Sequence, residues 1–128
     1  MPRNMSFSLT TEQVRNRTKT VTRRVNWWKN KRGQRIIQQG DIVNACVKCM
    51  GLQPGESIER ICQIRIRKVT RERLRVLIVN EPYGNAEAIR EGFPELGGVG
   101  FASMFCEHMG GGLDQTVTRI EFEYVKEA

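Results

Sequence analysis

The segment Thr18-Lys-Thr-Val-Thr-Arg-Arg24 carries one lysine, three threonines and two arginines, and Trp27 and Trp28 follow it closely. Arginine binds phosphate through a fork of N–H donors, and an indole offers a face on which a base can stack. These groups predict a site for an anionic, planar ligand such as a nucleotide, with the rest of the chain as its scaffold. The alternative interpretation is a basic surface turn followed by two core tryptophans.

The chain carries a formal net charge of +7 that is unevenly placed. Residues 1–36 contain seven arginines and three lysines against one acid, Glu12, for a net of +9. Residues 37–128 contain eleven basic and thirteen acidic residues, for a net of −2. This asymmetry predicts a polyanionic partner, most simply nucleic acid. An anionic membrane surface fits less well, because the basic part lacks a long amphipathic helix.

The length of 128 residues predicts a single domain over 1–128, with a core at about 5–125. A hydrophobic content of 39% with 27% charged residues is typical of a soluble globular chain. No apolar run approaches the ~18–20 residues of a membrane span, and the N-terminus lacks the apolar segment of a secretory signal. We therefore expect a soluble, cytoplasmic protein.

The cysteine spacing suggests a metal site, but the predicted placement of the cysteines argues against one. Cys46 and Cys49 form a C-x-x-C motif, and Cys106 with His108 could complete a zinc set. However, the motif lies in a predicted strand, where positions three apart point to opposite faces, and no second C-x-x-C is present. We expect buried thiols, with no metal and no cofactor.

Runs of β-branched or alternating apolar residues predict most of the chain to be extended. In the last run, Ile120, Phe122 and Tyr124 are expected to face inward, while Arg119 and the glutamates face outward. The predicted strands cover 6–9, 20–22, 42–49, 58–69, 74–79 and 116–125, with turns at 30–33 and 40–41.

Three short helices interrupt these strands. Thr10 is a predicted N-cap for the first helix, which ends near residues 16–17, and Asn85 is a predicted cap for a helix over 86–91. The third helix places Phe101 and His108 on one apolar face, so His108 is expected to pack rather than to react. The glycine-rich residues 97–100 before it lack the lysine and the setting of a P-loop, and are expected to be a flexible connector or lid.

The helices occur as insertions between strands rather than as regular crossovers. This order predicts an α+β fold: a small, mostly antiparallel barrel of five to six strands with about three short flanking helices. A parallel α/β sheet is excluded by the same order.

The order of these elements and motifs resembles the ASCH domain, a relative of the PUA RNA-binding fold. The resemblance covers roughly residues 5–125 and rests on the 19–23 Lys-Thr-Val-Thr-Arg motif, the Gly40-Asp41 turn, and a helix that ends at Glu91-Gly92. A helix with two phenylalanines and a closing strand follow. The tryptophan pair and residues 105–108 look similar to versions carried by bacteriophages, which would act in the host cytoplasm.

The resemblance also implies a candidate catalytic set, namely Lys19, Thr22 and Glu91. In small ASCH enzymes that resemble this chain, a lysine, a threonine three residues later and a distant glutamate hydrolyse the amide of N4-acetylcytidine. This chain is larger, more basic at its N-terminus, and adds the tryptophans and the 97–100 glycines. Those departures favour a longer, phosphate-bearing substrate over a free nucleoside.

Amide hydrolysis requires a nucleophile, a base and a proton for the leaving amine. The Thr22 hydroxyl, or a water that it positions, could be the nucleophile. Lys19 could act as the base only if its pKa fell by several units, through burial or nearby arginines. Glu91 would carry a proton at some stage; alternatively, Lys19 and Glu91 form an ordinary ion pair.

Two other classes of function remain open at this stage. One is a ribonuclease or a non-catalytic module that binds single-stranded RNA; the other is a phage-encoded adaptor that acts by protein contact. We expect one tryptophan in the core and the other facing the cleft. The predicted nucleic-acid or nucleotide contacts are Arg17, Thr20, Arg23, Arg24, Trp27, Trp28, Lys29, Lys31 and Arg32.

Overall fold

A computed structural model of the protein describes residues 2–126, so both ends of the predicted 1–128 domain lie outside the described residues. Strands and helices alternate irregularly along the chain. In order, the elements are β1 (Arg3–Ser6), α1 (Thr11–Arg15), β2 (Val21–Arg24), β3 (Ile42–Cys46), β4 (Arg60–Arg73), α2 (Val76–Val79), α3 (Glu81–Glu91), α4 (Gly97–Met109) and β5 (Thr116–Tyr124).

The five strands form one mixed sheet in the order β1-β3-β4-β5-β2. Only the β1–β3 pair is parallel; the other three pairs are antiparallel. The register of β4 against β5 shifts between Ile66 and Lys68, and such a bulge bends a strand and increases its twist. The sheet curls into a half-barrel with four short helices, which confirms the predicted α+β, PUA-like barrel.

Two hydrophobic clusters hold the fold together, and the candidate site lies between them. The first fills the curl of the sheet and includes Phe7, Ile64 and Phe122. The second joins the helices to the far end of the sheet and includes Leu77 and Phe101. Burial of side chains of this size stabilises the fold by about 1.5–3 kcal/mol each.

The predicted strand over 74–79 is wrong, because this segment turns into helix α2. Leu74 and Leu77 are both buried in the second cluster, and a spacing of three places them on one face of a helix but not of a strand. Tertiary packing therefore overrides the β-propensity of the valines and isoleucine in the segment.

Other predicted boundaries shift by a few residues, each for a local reason. The first strand is Arg3–Ser6 rather than 6–9, and Leu9 is exposed. The 58–69 strand begins later, because Ile58 is exposed, and continues to Arg73. Helix α3 begins at Glu81 instead of 86, since Asn80, not Asn85, accepts the capping hydrogen bond from the Tyr83 N–H.

The glycines at 97–100 are not a flexible connector but the first turn of α4. The Asn85 side chain accepts a hydrogen bond from the Gly98 N–H, which ties α4 to α3. A Cβ at Gly98 would lie 2.2 Å from the Leu77 carbonyl oxygen, and one at Gly84 would lie 1.8 Å from the same atom. These glycines allow α2, α3 and α4 to pack backbone against backbone.

We expect Gly98→Ala to lower the free energy of unfolding by about 2–4 kcal/mol, because its methyl group collides with backbone that cannot rotate away. Gly100→Ala is the matched control in the same helix, since its Cβ meets only the Leu96 side chain, at 3.1 Å. Chemical denaturation of both variants measures the difference. Equal stability of the two would contradict the close packing of α4 on α2.

The part of the chain that the structure describes contains no helix long and apolar enough to cross a bilayer. Within residues 2–126, no group of three or more His, Cys, Asp or Glu side chains could hold a metal ion. Cys46 is buried, and burial raises the pKa of its thiol to about 11. Cys49 and Cys106 are partly buried and form no disulfide.

Candidate functional site

A cavity of about 320 Å³ opens between the two hydrophobic clusters. Most of its wall is apolar and aromatic, and a small set of charged side chains lies at one side. It is lined by Ser6, Phe7, Ser8, Leu9, Thr10, Lys19, Thr22, Arg23, Arg24, Val25, Trp27, Glu91, Phe93, Phe101, Met104, Phe105, His108 and Met109. This pattern of aromatic walls with a few polar groups is typical of small-molecule sites.

Strand β2 supplies one side of the cavity. Because side chains alternate along a strand, Thr22 and Arg24 share a face, and both line the cavity. Lys19 precedes the strand, where its neighbour Thr20 donates its N–H to the Arg90 carbonyl at 2.8 Å. The Tyr124 hydroxyl donates to the Lys19 carbonyl at 2.5 Å. The backbone around Lys19 is therefore held from both sides.

Lys19 and Glu91 form a buried pair at the cavity wall. The Lys19 Nζ donates to Glu91 Oε1 at 2.7 Å and to the Glu91 main-chain oxygen at 2.8 Å. Both side chains are only 3% exposed, so the pair is shielded from solvent. Glu91 is the last residue of α3, which ends at Gly92 with φ 98°. The structure thus places Lys19 in contact with Glu91, and Thr22, the third residue that the resemblance implied, lines the same cavity.

Arg23 points away from Thr22 and Arg24, into a buried cluster of carboxylates. Its guanidinium donates to Glu91 Oε2 at 3.0 Å, to Glu87 Oε1 at 2.5 Å and to Glu72 Oε1 at 2.8 Å. Its side chain has no exposed surface. Arg23 therefore fixes the second oxygen of the carboxylate that holds Lys19, and it is not available as a free phosphate contact.

Glu87 extends the cluster to strand β5. It accepts from Arg119 Nε at 2.5 Å and from Arg90 at 2.8 Å, and it is fully buried. Although burial raises the pKa of Glu87, the bonds from Arg119, Arg23 and Arg90 outweigh it and lower that pKa to about 2. The prediction that Arg119 faces outward is wrong, because α3 covers that face of β5.

Burial lowers the pKa of Lys19 below its usual 10.5, although the Glu91 carboxylate opposes this shift. The positive charges of Arg24 and Arg23 lower it further. A neutral lysine has two N–H donors and one lone pair. Since two bonds run to Glu91, a neutral Lys19 would keep its lone pair for a proton on a ligand or hydroxyl in the cavity.

The two tryptophans occupy different places, and neither is fully buried. Trp27 packs against the first cluster and also lines the cavity, so a single residue combines the two roles that we expected the pair to divide. Trp28 lines neither this cavity nor the second one described below. Instead, the Arg35 guanidinium lies 3.6 Å from the centre of its ring, and that of Arg71 lies 5.7 Å away.

The remaining predicted contacts lie outside this cavity. Thr20 lines a second, more open cavity of about 530 Å³ beside Arg67, Arg90 and Arg119. Arg17 is exposed, and its guanidinium lies 5.4 Å from the centre of the Tyr124 ring. The other basic residues are exposed on or beside the turn after the tryptophans, which confirms the turn at 30–33; they are Lys29, Lys31 and Arg32.

Several residues of the cavity and of the adjoining ionic cluster were not predicted from the sequence. Glu87 lies four residues before Glu91 and therefore on the same helical face, a spacing that could have identified it. His108 was expected to pack, but it is exposed and lines the cavity. Phe93 follows α3 and Phe101 lies in α4, and their ring centres are 6.1 Å apart at the cavity wall.

Two solved structures share the fold over nearly the whole chain. Protein EF3133 from Enterococcus faecalis V583, of family DUF984, is 16% identical with a TM-score of 0.62, covering 98% of this chain and 80% of that one. An ASCH domain from Lactobacillus crispatus JV V101 is also 16% identical, with a TM-score of 0.56, covering 95% and 78%. No family model and no curated protein matches the sequence. The chain has an ASCH-like fold.

Proposed function

We propose that this ASCH-like protein binds a modified pyrimidine nucleoside or nucleotide in the cavity and hydrolyses its N4-acyl amide. The observation that carries the proposal is the Lys19–Glu91 pair, buried at the wall of an aromatic cavity that Thr22 also lines. A buried lysine with a lowered pKa in a concave site is a candidate general base.

The base of the ligand would lie among the aromatic walls of the cavity. Trp27 and Phe93 are both partly exposed and line it, so their rings are available for stacking. A volume of about 320 Å³ is at the small end of ligand pockets, which favours one nucleoside over a folded RNA element.

The chemistry would proceed as an acyl transfer to water. Neutral Lys19 accepts a proton from the Thr22 hydroxyl, or from a water beside it, as the oxygen attacks the amide carbon. The resulting ammonium returns that proton to the leaving N4 amine as the C–N bond breaks. If Thr22 has been acylated, water then releases the acid by the same steps. Glu91 orients Lys19 and stabilises its ammonium form.

The test is acetate release from N4-acetylcytidine, measured as kcat/KM across pH. Because the neutral form of Lys19 is the base, we expect the rate to rise with pH to a plateau, with an apparent pKa below 10.5. A rate that falls with pH over the range in which Lys19 loses its proton would contradict the role of Lys19 as the base. Absence of acetate release at every pH would contradict the hydrolase proposal.

A second candidate function is binding of single-stranded RNA by the exposed basic turn. Lys29, Lys31 and Arg32 are exposed, and the partly exposed Trp28 ring lies close by in the sequence. Binding through phosphates would weaken steeply as salt rises, whereas hydrolysis of an uncharged nucleoside would change little. RNA binding at two salt concentrations, measured beside acetate release, separates the two functions.

A further inference from the structure

Arg24 is half-buried at the cavity wall and, unlike Lys19 and Arg23, forms no ion pair with a carboxylate in the part of the chain that the structure describes. One terminal nitrogen donates to the Ser6 carbonyl oxygen, while Nε is buried and has no hydrogen-bond partner among residues 2–126. The guanidinium carbon lies 4.9 Å from the centre of the Phe7 ring and 5.4 Å from that of Trp27. The guanidinium is thus placed by aromatic rings and a neutral carbonyl.

The other buried basic residues of the site have carboxylate partners of their own. Three cations and three carboxylates form the buried cluster, and each cation bonds at least one carboxylate: Lys19, Arg23 and Arg119 with Glu72, Glu87 and Glu91. Arg24 instead lines the cavity without an ion pair of its own in the described part of the chain. A partly buried cation without an ion pair is poorly solvated, and a bound anion would supply its missing counter-charge.

We propose that Arg24 binds the phosphate of a nucleotide ligand, so that the cavity selects phosphorylated over unphosphorylated nucleosides. The identity of the base and of the acyl group rests on the proposed function; the anion site rests on Arg24 itself. A guanidinium offers parallel N–H donors that match two phosphate oxygens. Burial lowers the pKa of Arg24 to about 10, so it remains a cation at neutral pH.

Phosphate on Arg24 is compatible with a neutral Lys19. The charge of Arg24 contributes to the lowered pKa of Lys19, but burial is the largest cause. Neutralising Arg24 would therefore leave most of that lowering in place. The strand geometry also separates the two roles, because Arg24 lies two residues beyond Thr22 on the same face of β2.

The direct test is calorimetric binding of cytidine and of cytidine 5′-monophosphate to the unmodified protein. We expect the monophosphate to bind about 10- to 100-fold more tightly, as one charge-assisted contact implies. Inorganic phosphate as a competitor should weaken binding of the monophosphate more than binding of cytidine. Equal affinity for the two ligands would overturn the proposal, and this comparison requires no variant.

Arg24→Met keeps a side chain of similar reach against Phe7 and Trp27 but removes the charge. We expect it to reduce the affinity ratio between the two ligands to about one, while Arg65→Met, an exposed position on β4, leaves the ratio unchanged. A ratio that persists in Arg24→Met would place the phosphate elsewhere and overturn the assignment.

Measuring acetate release shows whether the anion-site proposal or the hydrolase proposal is the one that is wrong. Tight binding of the monophosphate without hydrolysis of any N4-acetyl ligand would support the anion site and contradict the hydrolase proposal. If N4-acetylcytidine and its 5′-monophosphate are hydrolysed with equal kcat/KM and bind with equal affinity, the hydrolase proposal is supported and the anion site is contradicted.

Discussion

Replacement of Lys19 by methionine is expected to lower acetate release from N4-acetylcytidine by about a thousandfold or more, because the proposed general base is lost. Methionine has a similar length and no charge, so the cavity wall keeps its shape. Glu91 still accepts from Arg23, and its carboxylate is not left without a partner. We therefore expect the variant to fold, with circular dichroism and thermal denaturation as the checks.

Lys68→Met is the control for loss of a lysine, since Lys68 is exposed on β4. It should retain the activity of the unmodified protein. A folded Lys19→Met variant with full activity would remove Lys19 from the mechanism. A variant that loses activity but still binds cytidine would separate the base from the binding site.

Glu87→Gln is expected to lower the free energy of unfolding by about 3–5 kcal/mol, or roughly 10–20 °C in Tm for a chain of this length. Glu87 is fully buried and accepts bonds from Arg23, Arg90 and Arg119. Glutamine has nearly the same shape, but it leaves buried guanidinium groups without their counter-charge. Thermal and chemical denaturation at neutral pH measure the loss.

The stability lost in Glu87→Gln should depend on pH. The pKa of Glu87 is lowered from 4.5 to about 2 in the fold. Its ionised form therefore contributes stability in full above pH 4.5, and that contribution disappears as pH falls toward 2. The stability gap between the unmodified protein and Glu87→Gln should narrow across this window. Glu123→Gln, at a half-exposed ion pair, should cost less than about 1 kcal/mol; an equal cost would contradict the buried cluster.

Local signals in the sequence were sufficient to predict strand β2 and part of the site. The β-branched residues at 20–22 predict an extended backbone, and the strand period then places Thr22 and Arg24 on one face. The left-handed Gly92 marks the end of α3, which positions Glu91. That Glu91 meets Lys19, 72 residues away, followed from the family resemblance and not from any local pattern.

The basic N-terminal region shows where the sequence-based reasoning failed. Its basic residues were interpreted mainly as contacts for a polyanion, yet Lys19 and Arg23 are buried and paired with carboxylates from other elements. Composition cannot reveal this, because the partners Glu72 and Glu87 belong to the acidic remainder of the chain. The predicted strand over 74–79 failed for a related reason, since tertiary contacts decide that residues 76–79 form a helix.

The arrangement around Arg23 also determines how the site could be transplanted into another protein. One guanidinium is surrounded by acids from β4 and α3, and it holds the carboxylate that bonds the Lys19 amine. A designed scaffold given only a lysine, a threonine and a glutamate would lack this support, and water or a flexible side chain would replace it. The smallest portable unit is therefore the whole ionic cluster together with its cavity, not a set of three residues.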